Sequence, residues 1–423
     1  MFDALFTTTT EYKKLSHALS GKGACALFGL PASGRAQVYA ALCRQLDKPL
    51  CIVTPGEAEA TRFAADLNTL GIPAAVFPAR DYVLRPIEGT AREYEYRRLA
   101  VLGELVGGRL RAVAVPAEAL TQFTTPKEDF CANTRTLHAG DTLLRDDLLA
   151  ALFGAGYTRR AQVDGPGQFS VRGDIVDIFA PDQKMPVRME FWGDEIDTLH
   201  TFDLTTQRRE DAIDKFYLSP AREVLFGKPA DAAEQLRAFL AKQRGKKKTV
   251  MADCMAADLD LLDGGAVPVN MDKYLAVRYP HPATVLDYFD DPILVAEEPA
   301  SIREADRATA YRRGEELKSL ILDGVLCAGL DNLYADPSYL WSKTGHYRTI
   351  CAENFARSMP DQPLKDIINT PAHTLPAWNG EVAGLLEDLK PLCDAGYTVT
   401  LLAGTDRAAA GLARDLRDKG ILV

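Results

Sequence analysis

Short apolar runs alternate with helix-length segments on both sides of a central stretch whose period is two, and this pattern restricts the fold more than anything else in the chain. At the front, "ACALFGL" reads as a buried strand, "RAQVYAALCRQL" as a helix and "PLCIVTP" as a strand. The helix "GEAEATRFAADLNTLG" and strands in "PAAVFPA" and "RLRAVAVPAEAL" follow. Strands separated by helices of this length need crossover connections, and so a parallel sheet. Near Pro126 the texture changes. After a helix in "LLRDDLLAALFGAGYTRR", the segments "QFSVRGDIVDIFAP" and "MPVRMEFWGDEIDTLHTFD" alternate: Val187, Met189 and Phe191 face one way, Arg188, Glu190 and Trp192 the other. Gly167, Pro181 and Gly193-Asp194 supply the turns of β-hairpins. From about residue 211 the first pattern resumes, with "ILVAEE" as a buried strand and "SIREADRATAYRRGEELKSLILDG" as a charged helix.

The expectation is therefore an α/β fold. A parallel-sheet, phosphate-loop-like domain is made of two halves, 1–125 and 211–358, interrupted by an inserted α+β module at 126–210. The Pro- and Asp-rich 359–377 reads as a linker. Residues 378–423 read as helix, strand, helix, strand, part of a small α/β domain that belongs to a longer protein.

Composition narrows the function. A net charge of −10 opposes free-standing affinity for phosphate backbones. The run "KQRGKKK" at Lys242–Lys248 departs from it, as a solvated loop or a nucleic-acid contact at Lys246–Lys248. Eight cysteines are scattered without a C-x-x-C pair, and the six histidines form no ligand pattern. That fits reduced thiols and no metal site. No leader and no apolar run near ~18 residues is present, so a soluble, cytoplasmic protein without a membrane partner is expected.

The stretch "ALFGLPASGRAQ" raises the sharpest chemical question. A working phosphate-binding loop, G-x-x-x-x-G-K-[ST], cradles phosphates with backbone N–H groups, while its Lys reaches the β/γ-phosphates and its hydroxyl binds Mg²⁺. Here Gly29 and Gly34 have the spacing, but Arg35 stands at the Lys position and Ala36 at the hydroxyl position. The acidic strand that should accompany such a loop ends in Glu297-Glu298 rather than Asp-Glu. A purely structural strand–turn–helix and residual anion binding at the helix start both remain open readings; ATP hydrolysis is not expected.

The ordered phrases "QFSVRGDIVDIF", "FWGDEID" and "TFDLTTQRR", with "SPAREVLF" and "VLDYFDDPILVAEEP" further on, resemble the UvrB-like front region of the bacterial transcription-repair coupling factors. The likeness extends over most of residues 1–358. UvrB itself carries an intact phosphate loop and a long aromatic hairpin in the span that corresponds to Ala79–Tyr96. This chain has "ARDYVLRPIEGTAREYEY" there, which leaves no room for one. An ATP-dependent, UvrB-like damage verifier is therefore the alternative rather than the first reading.

The resemblance implies a helicase-like frame with a degenerate ATP site and a non-catalytic adaptor role: recruitment of UvrA to stalled RNA polymerase. ATP, Mg²⁺, RNA polymerase and double-stranded DNA would be engaged by domains outside this chain. The family also implies intramolecular contacts with the C-terminal part of the full-length protein. Arginines of the inserted module meet acidic groups on UvrA in this family; the motif places Arg159 and Arg172 on two such positions, with Arg160 adjacent and Phe179 a further candidate. Ser170 replaces a third arginine. For each arginine the plain alternative is a solvated charge; for Phe169 and Phe179 it is the core. Gly173 reads as a bulge or bend.

Overall fold

The computed structural model describes residues 7–87, 91–355, 362–370, 382–397, 399–401, 403 and 405–421. The chain divides into two compact units, 1–371 and 372–423.

In the first unit, strands β1 (Gly23–Phe28), β2 (Leu50–Thr54), β3 (Ala74–Val76) and β4 (Ala112–Pro116) come from the front half. The inserted module supplies β5 (Arg135–His138), β6 (Thr158–Arg159), β7 (Gln168–Arg172), β8 (Ile175–Phe179), β9 (Val187–Trp192), β10 (Glu195–Phe202), β11 (Arg209–Ala212) and β12 (Lys215–Leu218). The second half adds β13 (Ile293–Glu297) and β14 (Arg348–Glu353), and the stretch expected as a linker instead supplies β15 (Leu364–Asn369), which pairs with β1. Strands from both halves join one seven-stranded sheet in the order β15-β1-β14-β13-β2-β4-β3, and every pairing in it is parallel. Strands such as "LCIVT" and "AVAVP" are buried along their whole length because helices cover both faces. One layer packs Tyr39, Leu42, Phe63 and Leu67 beneath Ile52 and Val295; the other packs Leu99, Leu102, Phe130 and Leu286 beneath Val53 and Leu294.

The module is a six-stranded sheet, β11-β10-β9-β8-β7-β6, antiparallel except between β6 and β7. Its inner face, Phe169, Val176, Ile178, Val187, Met189 and Phe191, packs with Leu148 and Leu152 of the helix Arg145–Gly154. β12 pairs back with β5, so the module closes past the boundary expected at 210. Gly173 and Gly193 have φ of +61° and +63°. Each is the first central residue of a two-residue hairpin turn, where glycine avoids the cost of a left-handed backbone. Gly173 is thus the bend, not the bulge, of the two expected readings.

A buried charge network holds the module's exit to the front half. Arg98 donates Nε to Glu223 Oε1 at 2.5 Å and Nη1 to Gln122 Oε1 at 3.0 Å. Arg80 binds both oxygens of Asp272, at 2.7 and 3.0 Å, and approaches Glu223 at 3.3 Å. Burial would raise the Glu95 carboxyl, but Arg80, Arg222 and Arg92 outweigh it and hold it at about 2. The described parts of Ala79–Tyr96, where UvrB would have its hairpin, are the loop tied down by Arg80 and the start of the helix Glu93–Val106; residues 88–90 lie outside the described ones.

In the second unit the described residues form the helices Val382–Asp394 and Asp406–Asp418, which bury Leu385, Leu389 and Leu416 together. The strands expected there fall partly on residues outside the described ones. The "KQRGKKK" run is not a loop throughout: Lys246–Lys248 are exposed in the first turn of the helix Gly245–Asp263. Among the described residues no helix is long and apolar enough to cross a membrane, and no group of three or more His, Cys, Asp or Glu is placed to hold a metal.

Candidate functional site

At the carboxyl end of β1 the chain turns through Gly29, whose φ is +89° and whose missing Cβ would stand 2.2 Å from the Thr370 carbonyl oxygen. The turn then ends early. The helix expected from Arg35 begins at Ala32, with Pro31 at its cap and the Arg35 N–H bonded to the Pro31 carbonyl at 2.9 Å. Only Leu30 and Pro31 separate Gly29 from the helix, and Pro31 has no N–H. A ring of backbone donors around a phosphate needs more loop than this. Gly34 lies inside the first helical turn, and Ala36 is fully buried in the core layer with Tyr39 and Leu42.

The Arg35 side chain is directed inward, with 2% of the residue exposed. Its Nη1 donates to Glu298 Oε1 at 2.9 Å, and its Nη2 lies 3.0 Å from Glu297 Oε2. The second contact is an ion pair without hydrogen-bond alignment, since Glu297 Oε2 lacks a hydrogen-bond partner among the described residues. Tyr39 donates its hydroxyl to the other Glu297 oxygen at 2.5 Å. Glu297 ends β13 and Glu298 adopts a left-handed conformation (φ 52°) before the helix Pro299–Leu322. Burial pushes the Glu297 carboxyl up to about 7 although Arg35 draws it down. Burial works against the Arg35 charge more than any single neighbour supports it, but Glu297, Tyr39 and Glu298 together outweigh it and raise the guanidinium. All six sequence candidates, Gly29, Gly34, Arg35, Ala36, Glu297 and Glu298, thus meet at one place. The three charged ones are bound to one another. Tyr39, which completes the set, was missed; its place one helical turn after Arg35 was the available signal.

The second candidate site is the outer face of the module sheet. Cross-strand register sets Ser170 opposite Asp177, Asp177 opposite Arg188, and Arg188 opposite His200. Asp177 is fully buried and accepts from three donors on two sides: Arg172 Nη2 at 2.6 Å, Arg188 Nε at 2.7 Å and Arg188 Nη2 at 2.9 Å. Arg172 keeps 48% of its side chain exposed, so one edge of its guanidinium is anchored while the rest faces solvent. Arg188, absent from the sequence candidates, covers Asp177 and lies over the Phe202 ring at 4.8 Å. Ser170 is buried, and its hydroxyl has no hydrogen-bond partner among the described residues.

The remaining candidates separate. β6 pairs Arg159 with Phe169, whose side chain lies on the inner face, so alternation gives Arg160 rather than Arg159 the face of Ser170 and Arg172. Both are exposed and line a cleft of about 990 Å³ with Tyr96, Gln168, Arg222 and Asp272. Phe179 belongs to the outer face but is only 6% exposed, covered by Val163, Phe202 and Leu204. Its ring supports the surface from below and does not form part of it, which is the packing alternative.

Residues 136–224 match the family model of the UvrB interaction domain. The chain is also similar to the transcription-repair-coupling factor of Bacillus subtilis, 25% identical over 93% of this chain and 34% of that protein. The proteins of the same description from Mycobacterium bovis and Myxococcus xanthus are 34% and 31% identical over 68% and 64% of this chain, in each case 24% of the relative. The chain therefore spans about a third or less of the length of these curated relatives.

Proposed function

We propose, from the relationship of this chain to the N-terminal region of the transcription-repair coupling factors, that it is their non-catalytic adaptor portion. It recruits UvrA through the outer face of the module and thereby brings excision repair to a stalled RNA polymerase. The observation that carries this reading is the anchored Arg172. Asp177 fixes one edge of its guanidinium at 2.6 Å while the other edge is open to a partner carboxylate. Arginine suits that task because its planar fork takes two carboxylates at once and sheds water easily. Arg160 lies on the same face, and Arg159 reaches the partner only around the sheet edge.

The frame that carries the module works without nucleotide chemistry. Arg35 is already engaged by Glu297 and Glu298, Ala36 offers a metal no oxygen, and the turn after Gly29 is too short to ring a phosphate. These features favour the adaptor over the ATP-dependent, damage-verifying alternative. Motor activity, RNA polymerase and duplex DNA belong to other parts of the longer proteins. The test is a titration of purified UvrA with the whole chain and with Arg172→Ala. Saturable binding that the substitution weakens by about 2–5 kcal/mol is expected; equal affinities would discard the arginine assignment.

A further inference from the structure

Two strands of the module end in the same way. β7 ends in Arg172-Gly173-Asp174 and β9 in Trp192-Gly193-Asp194, each entering a two-residue glycine turn at the same end of the sheet. Register and alternation put both side chains on the outer face: Arg172 stands opposite Ile175, Ile175 opposite Glu190, and Trp192 lies two residues beyond Glu190. With β8 between them, the two backbones are roughly 10 Å apart.

Trp192 is 83% exposed, more than any other large apolar residue among the described ones. An indole left in water forgoes a large burial gain, because aromatic side chains bury on the order of 150–250 Å² each. The turn beneath it is not loose. Phe191 N–H bonds Asp174 O at 2.8 Å, Leu143 N–H bonds Asp194 O at 2.7 Å, and Ile196 N–H bonds Asp141 O at 2.9 Å. The indole is therefore presented from a backbone fixed on both sides, so seating it in a pocket orders little beyond its own two torsions. Tyr311, Leu322 and Phe355 are exposed to 75%, 78% and 77%, but they belong to a helix and to the segment after β14, not to the module's sheet.

We infer that Trp192 is the apolar anchor of the same partner surface to which Arg172 contributes its charge, and that the docking patch on UvrA pairs an acidic group with an apolar pocket roughly 10 Å away. The inference rests on the UvrA reading and adds its energetic centre. Arginine and tryptophan are the residue types that dominate binding energy at protein interfaces, and both lie well within the roughly 800 Å² that one partner buries at a standard interface.

The experiment is a titration of purified UvrA into the whole chain, its Trp192→Ala, Trp192→Phe and Arg172→Ala variants, followed by calorimetry and by tryptophan emission. Trp192→Ala should bind about thirtyfold or more weakly, with an unchanged thermal midpoint because the side chain supports no packing. Trp192→Phe should recover most of that loss. Wild-type emission should shift to the blue on binding, and the shift should vanish in Trp192→Phe, which keeps Trp341 and Trp378. If Trp192→Ala binds within twofold of wild type while Arg172→Ala is weakened, the anchor is overturned and the UvrA reading stands. If the wild-type chain does not bind UvrA, both fall.

Discussion

Arg35 and Glu297 are where this chain departs most sharply from the phosphate-loop pattern, and their pairing has consequences in solution. A guanidinium that served only a phosphate could be removed with little effect on stability. Here Arg35→Ala would leave Glu297 buried beside Glu298, with Tyr39 as its hydrogen-bond donor. Breaking a buried ion pair in this way typically costs about 3–5 kcal/mol. The denaturation midpoint of Arg35→Ala should fall accordingly, and an unchanged midpoint would mean that the arginine is free. The raised carboxyl gives a second handle. A group that holds its proton more tightly when folded stabilises the fold at pH below the ordinary carboxylate range, and that contribution is lost as the pH rises through its folded value of about 7. Wild-type stability should therefore decline between roughly pH 5 and 8, by a few kcal/mol at most. Glu297→Gln has no proton to lose and should flatten that slope in pH-dependent denaturation curves.

Among the elements, the seam between the module and the frame depends on Glu223, which faces Arg98 and Arg80 in a dry interior. Glu223→Ala would leave the buried Arg98 guanidinium without a carboxylate, while Arg80 keeps Asp272, and should destabilise the chain by about 3–5 kcal/mol, read as a fall in the urea midpoint. Nothing in the sequence announces this seam, because its partners lie 125 residues apart for Arg98–Glu223 and 192 apart for Arg80–Asp272. The strands were legible for the opposite reason: apolar runs such as "ILVAE" and the alternation in "VRMEFW" are local consequences of burial on two faces or one. The helix starts at Ala32, three residues before the start expected at Arg35. The glycine spacing pointed to an open loop, yet Pro31 followed by Ala32 and Ser33 already suited a helix terminus, where a proline's missing N–H costs nothing. Arg188 was legible only in hindsight, since its tie to Asp177 depends on cross-strand register that the sequence does not number.

For the whole molecule, a parallel sheet assembled from both halves holds the module by its two connections, and the sheet's own carboxyl end is closed by side chains of the chain itself. Under the proposed adaptor role this frame is a mount for the module. Arg35 is paired with Glu297 and Glu298 at that end of the sheet, while Arg172 on the module's outer face keeps nearly half of its side chain in solvent. The most direct test is a calorimetric titration of Mg-ATP into the whole chain with phosphate release followed in parallel. No saturable heat, no release and an unfolding temperature that Mg-ATP leaves unchanged are expected. Saturable Mg-ATP binding with turnover, abolished by Arg35→Ala, would contradict that expectation.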